Sequence, residues 1–147
     1  MSKKVGPIMV ALVITTVLMS GCSSSDDAPV SDREKLQGTW VGKELGREGE
    51  VRIIFSGDTI DFKGASPQEW YKGTGVLHEE LTPKQGDFTI TECPMPDYVG
   101  KLTKAIYKIE ENTLTLAGSE PGDENRPSSF EPSGGARVFQ LTLQTKN

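Results

Sequence analysis

Leu36-Gln37-Gly38-Thr39-Trp40 marks a change of period in this chain. On its N-terminal side, Ser31-Asp32-Arg33-Glu34 has the form of a capping box, with Ser at the N-cap and Glu three residues later. Gly38 is a natural C-terminal stop. Only one or two helical turns fit between them, so this helix is expected to be a lid or plug with no core of its own. From Thr39 onward the apolar residues recur with period two. A large aromatic at the entry to the first strand, Trp40, is the cheapest way to exclude water from one end of a barrel core.

Working outward, the alternation predicts strands at Thr39–Leu45, Glu50–Phe55, Thr59–Lys63, Trp70–His78, Phe88–Glu92, Leu102–Ile109, Thr113–Ala117 and Arg137–Thr145. The inward set is read as Trp40, Val51, Ile53, Phe55, Ile60, Phe62, Phe88, Ile90, Leu114, Leu116 and Leu141. Gly73 and Gly75, two apart on one face, suggest a bend or a close backbone approach. Leu81–Asp87 reads as a loop, and Pro94 and Pro96 keep Cys93–Gly100 out of any central strand. Gly118–Ala136 is a long Gly/Pro/Ser-rich loop of the kind that is usually functional or mobile. Eight short strands with almost no helix predict an all-β fold, a small antiparallel up-and-down β-barrel, because closure removes exposed strand edges.

The chain has 147 residues and 35% hydrophobic content, enough for one domain with a modest core. Its formal charge is −5, and the first 21 residues contribute only Lys3 and Lys4, so the remainder carries −7. That balance leaves no basic patch for nucleic acid and none for electrostatic docking on anionic lipid. There is no Gly-rich phosphate loop and no Ser/His/Asp arrangement, and no cofactor is expected.

The leader carries the clearest motif. Lys3 and Lys4 form a positive n-region, and Val5 to Met19 is almost wholly apolar but short for a membrane span. Leu18-Met19-Ser20-Gly21-Cys22 then resembles the lipobox of bacterial lipoproteins, with Met19 in place of the commonest Leu. The resemblance implies a diacylglycerol on the Cys22 thiol and cleavage before Cys22. The chain thus divides into a lipoprotein signal peptide (1–21), a lipid-anchored flexible linker (22–33) and a barrel domain (34–147). Acyl chains at about 0.8 kcal/mol per buried CH₂ give stable anchoring to the membrane. The linker can hold the domain up to about 40 Å from the lipid. Ser23, which is not Asp, implies sorting to the outer membrane if the host is Gram-negative.

Gly38-Thr39-Trp40 resembles the G-x-W signature of the lipocalin superfamily. The resemblance extends to the lipocalin-like domain family of uncharacterised bacterial exported proteins common in planctomycetes. It is carried by Leu36–Trp40, Phe55-Ser56-Gly57-Asp58, Lys72-Gly73-Thr74, Ile106–Ile109, Asn112-Thr113-Leu114, Arg126–Phe130 and Leu141-Thr142-Leu143. Gly75 and Ala117 depart from the family pattern. The family implies a lipocalin-like barrel and supplies no catalytic residues. Arg137 would match the late-strand arginine that lies across the tryptophan in lipocalins, so Gly38, Trp40 and Arg137 are the expected closure residues.

The expected ligand cavity is lined by Val51, Ile53, Phe55, Phe62, Phe88 and Ile90. Cys93 is the only thiol left after Cys22 and His78 the only histidine, which is thin material for a nucleophile. Adjacent His78-Glu79-Glu80 point to alternating faces, and Glu120–Asn125 lacks the spacing of a calcium loop, so no metal site is expected. The expected function is non-enzymatic: a membrane-anchored barrel binding a small apolar ligand. The alternative is an envelope protein-interaction or inhibitor module working through the acidic loop Gly118–Ala136.

Overall fold

A computed structural model describes residues 28–132 and 135–145. The segment read as a signal peptide, with Leu18-Met19-Ser20-Gly21-Cys22, and the start of the expected linker lie outside the described residues. A helix α1 (Asp32–Leu36) is followed by strands β1 (Gly38–Glu44), β2 (Val51–Ser56), β3 (Thr59–Lys63), β4 (Trp70–His78) and β5 (Lys84–Glu92). A 3-10 turn at Pro96–Tyr98 precedes β6 (Leu102–Glu110), β7 (Thr113–Gly118) and β8 (Arg137–Leu143). The eight strands pair in sequence order, all antiparallel, and β8 closes on β1. The fold is the all-β, up-and-down barrel read from the alternation. Among the described residues, no helix is long and apolar enough to cross a membrane.

The capping box of α1 forms as expected. Glu34 N–H donates to Ser31 Oγ at 3.3 Å, and Ser31 N–H donates to Glu34 Oε2 at 3.2 Å. The helix ends at Leu36, and the chain then turns through Gly38 at φ +124°, a backbone conformation that side chains with a Cβ rarely adopt.

Two segment boundaries differ from the alternation. The stretch read as the loop Leu81–Asp87 is strand from Lys84 onward, paired with both β4 and β6. Its inward position is Gly86, where the Phe88 ring lies 2.9 Å from a notional Cβ, so no apolar side chain announces the strand. The last strand stops at Leu143, two residues before Thr145, where the backbone bonds pass to Asn112 and Thr39. A register shift between Lys72 and Gly73 makes the bend expected there.

Register sorts the inward side chains into two ends. Trp40 lies opposite Ile53 on one side and Leu143 on the other, and it is 1% exposed. Its Nε1–H donates to Leu36 O at 2.8 Å, so the indole seals this end and fastens α1 to it. The other end of the helix is held by Asp32, which is 2% exposed. The Asp32 carboxylate accepts from Lys84 Nζ at 2.6 Å and Tyr107 Oη at 2.9 Å, and its backbone N–H donates to Glu79 Oε2 at 2.7 Å. Burial pushes the Asp32 carboxyl up, but the bonds from Lys84 and Tyr107 outweigh it and hold the group below the usual range. The short helix is therefore a plug, as its length suggested.

A second apolar cluster sits on the outside of the barrel. Ile106, Ala117 and Val138 point outward from β6, β7 and β8 and are covered by Leu45 and Phe130. The long loop after β7 thus lies down on the barrel wall. Arg126 fixes it there, donating to Ala105 O at 2.7 Å, to Gly86 O at 3.1 Å and to Asp87 Oδ1 at 2.5 Å.

Candidate functional site

The barrel is open at the end away from Trp40. There the inward positions are Glu44 on β1, Phe62 on β3, Tyr71 on β4, Ile90 on β5, Thr103 on β6, Gly118 on β7 and Arg137 on β8, each in phase with the core residues of its own strand. All but Glu44, which Arg137 clamps, line a cup of about 400 Å³ that reaches down to Ile60, Phe88, Ala105 and Leu116. Two sequence features leave this space open. Gly118 has no side chain, and a Cβ built there would meet only Thr103 Cγ2, at the ordinary distance of 3.6 Å. Ala105 supplies only a methyl group.

The rim is a charge network. Arg137 clamps Glu44 bidentately, Nε to Oε1 at 2.9 Å and Nη2 to Oε2 at 2.6 Å, and Nη2 also bonds Glu69. Arg47 reaches the same two carboxylates at 3.1 and 3.3 Å. The Arg137 guanidinium lies 5.7 Å from the Phe62 ring centre and 5.2 Å from that of Phe139. Burial pushes Glu44 up, yet Arg137 and Arg47 together hold its carboxyl below the usual range. Arg137 is itself disfavoured as a cation by burial, and the two carboxylates more than restore it. Burial pushes the Tyr71 hydroxyl up to about 12, so it stays protonated at neutral pH.

Among the described residues, one fully buried side-chain polar atom has no partner. Thr103 is 7% exposed, faces inward among the cup's walls, and its Oγ1 has no hydrogen bond. Buried hydroxyls are normally satisfied, and each exception calls for an explanation.

A larger space of about 760 Å³ opens beside α1, at the end of the barrel bounded by the helix, the β2–β3 turn and the end of β4. Its apolar floor is Leu36, Phe55, Ile60, Leu77 and Phe88, and its rim carries the Arg33–Asp58 pair at 2.8 Å. Ile60 and Phe88 line both spaces and stand between them.

Phe62, Phe88 and Ile90, read as cavity residues, line the cup, whereas Phe55 lines the space beside α1. Val51 and Ile53 line neither and pack into the solid core around Trp40. The Phe88 ring lies over Gly75, 2.7 Å from a notional Cβ there. Arg137 does not lie across Trp40. It sits at the opposite end of β8 from Leu143, the residue that pairs with Trp40, and its aromatic partners are Phe62 and Phe139. Gly38 is at the closed end, opposite Phe55.

Cys93 lies at the cup's rim and donates its thiol to Met95 O at 2.9 Å. His78 is on the outer wall, 3.1 Å from Asp87, so the fold does not bring the thiol and the imidazole together. Among the described residues, no group of three or more His, Cys, Asp or Glu side chains converges as a metal site would require.

Glu44, Glu69, Tyr71 and Thr103 were missed in the sequence. Glu44 and Thr103 did carry a signal, since each is a polar residue at an inward phase of an alternating strand. Compared with known proteins, the chain matches no family model, no curated protein and no solved structure.

Proposed function

We propose that this protein is a non-enzymatic, lipid-anchored envelope barrel that holds a small, largely apolar ligand in the cup opposite Trp40. The observation that carries this reading is the cup itself. Its volume of about 400 Å³ falls within the range of small-molecule sites, and its walls are apolar with a few converging polar groups. A barrel of this size either fills with side chains or keeps room for one ligand, and Gly118 and Ala105 stand where larger residues would fill it.

The anchor is supported by Leu18-Met19-Ser20-Gly21-Cys22 and the polar residues that follow it. The chain enters the barrel through α1, at the end opposite the cup, so a flexible tether from Cys22 leaves the mouth of the cup unobstructed. The interaction-module alternative has less behind it, because the Gly118–Ala136 loop spends Arg126 and Phe130 on the barrel's own wall.

Pyrene, an uncharged probe without hydrogen-bonding groups, tests the cup. The full chain should bind it saturably, with an emission profile of an apolar site. Gly118→Leu should fill the cup and weaken binding at least about tenfold, while the melting temperature moves by no more than about 4 °C, as for a substitution that meets open space. Equal pyrene emission from wild type and Gly118→Leu would overturn the reading. The anchor has its own test: Cys22→Ser should leave the membrane fraction and lose acyl labelling. A variant that stays membrane-bound and labelled refutes the lipobox.

A further inference from the structure

The ligand class follows from what the cup's polar groups are already doing. Lipid-carrying sites that take an acid need a free cation at the mouth. Here both arginines are committed. Arg137 is clamped by Glu44 and shared with Glu69, and Arg47 bridges the same two carboxylates. Glu69 and Glu120 both line the cup, and Glu44, outside the lining, is paired with both arginines, so the network around the mouth holds three carboxylates to two arginines. A carboxylate entering this space would face uncompensated like charge and would have to break a bidentate pair to find a partner.

Among the described residues, the one fully buried side-chain polar atom without a partner is of a different kind. Thr103 Oγ1 is buried, uncharged, and able both to donate and to accept. Leaving such a group unpaired costs stability, and a ligand that pairs with it recovers that cost. Its place in the wall also sets an orientation. Thr103 lies next to Gly118, one pair nearer the mouth than Ala105, with the apolar floor of Ile60, Phe88 and Leu116 below. A bound molecule with its polar end near the mouth and its apolar body downward satisfies both.

We infer that the cup selects an uncharged amphiphile, an aliphatic alcohol or the corresponding carbonyl compound, whose single polar group hydrogen-bonds Thr103 Oγ1, and that it rejects carboxylates of the same length. This rests on the reading of the cup as a ligand site.

The test uses the full chain with 1-octanol and octanoate at neutral pH. Binding is followed directly by calorimetry and by displacement of pyrene, with Gly118→Leu protein as the blank for partitioning. Octanol should bind, and octanoate should bind at least about tenfold more weakly. Thr103→Val, which keeps the shape and removes the hydroxyl, should weaken octanol about tenfold and leave pyrene unchanged, the effect of one lost buried hydrogen bond. Without ligand, Thr103→Val should melt no lower than wild type, because it removes an unpaired group. Octanoate binding as well as octanol, or Thr103→Val keeping full octanol affinity, overturns the inference while pyrene binding leaves the cup standing. If wild type binds neither pyrene nor octanol, the cup reading falls and takes the inference with it.

Discussion

Trp40→Ala should cost about 3–5 kcal/mol of folding stability, the range for truncating a buried tryptophan. Two losses combine. The indole fills the sealed end between Ile53 and Leu143 at 1% exposure, and its Nε1–H satisfies Leu36 O at the end of α1. Removing it opens a void and releases the plug helix from one of its fastenings. Urea unfolding should show the midpoint falling by about 1–5 M, since slopes for small domains are about 1–3 kcal/mol per M. Amide exchange in Asp32–Leu36 should accelerate in parallel. If the Ala variant does not fold, Trp40→Phe gives the same answer on a smaller scale, about 1–2 kcal/mol for lost volume and one lost hydrogen bond. Trp70→Phe, on a partly exposed residue at the other end, is the control. A cost below about 1 kcal/mol for Trp40→Ala would show that Trp40 does not seal the barrel.

Arg137→Met should destabilise the protein by about 2–4 kcal/mol at neutral pH, because breaking a buried pair leaves the partner charge uncompensated. The stranded group is Glu44, whose side chain is 9% exposed and keeps only Arg47. The loss has a pH signature. In the wild type, Glu44 titrates below its ordinary value of 4.5, so its stabilising contribution is present above that value and disappears as pH falls through the lowered one. Without Arg137, burial dominates and raises the folded value above the unfolded one. The variant is then penalised as pH rises through that raised value and relieved as pH falls. The stability gap between the two proteins should therefore narrow from pH 7.5 to pH 4.5. Asp32 and Asp87 are also held below their ordinary range, but both proteins share them and they cancel in the difference. Adding Glu44→Gln to Arg137→Met should recover most of the loss at pH 7.5. A gap that does not change with pH would mean that Arg137 acts through packing on Phe62 and Phe139 alone.

Much of the architecture was legible because it is written in short-range patterns. Period-two alternation and Gly/Pro/Asn turns are local, and they located all eight strands. The capping box and Gly38 located the helix for the same reason. The alternation failed where an inward position holds glycine. Lys84–Asp87 carries no apolar side chain on its inner face because Phe88 covers Gly86 from the next position along that face. It was also silent about the outer cluster, since Ile106, Ala117 and Val138 break the polar face of strands whose covering loop arrives from far along the chain.

By itself, then, the sequence determined that this protein is a small barrel with a plug helix and a sealing tryptophan. Only the tertiary structure decided what stands at the open end. Arg137 pairs with Glu44 and Glu69 because β8 runs antiparallel to β1, with Leu143 opposite Trp40 and Phe139 opposite Glu44. That register places Arg137 about 20 Å along the strand from the residue opposite Trp40, out of reach of the indole. The unpaired hydroxyl of Thr103 is decided in the same way, by which strands are neighbours and in what register. Those are long-range pairings, and no local pattern of residues encodes them.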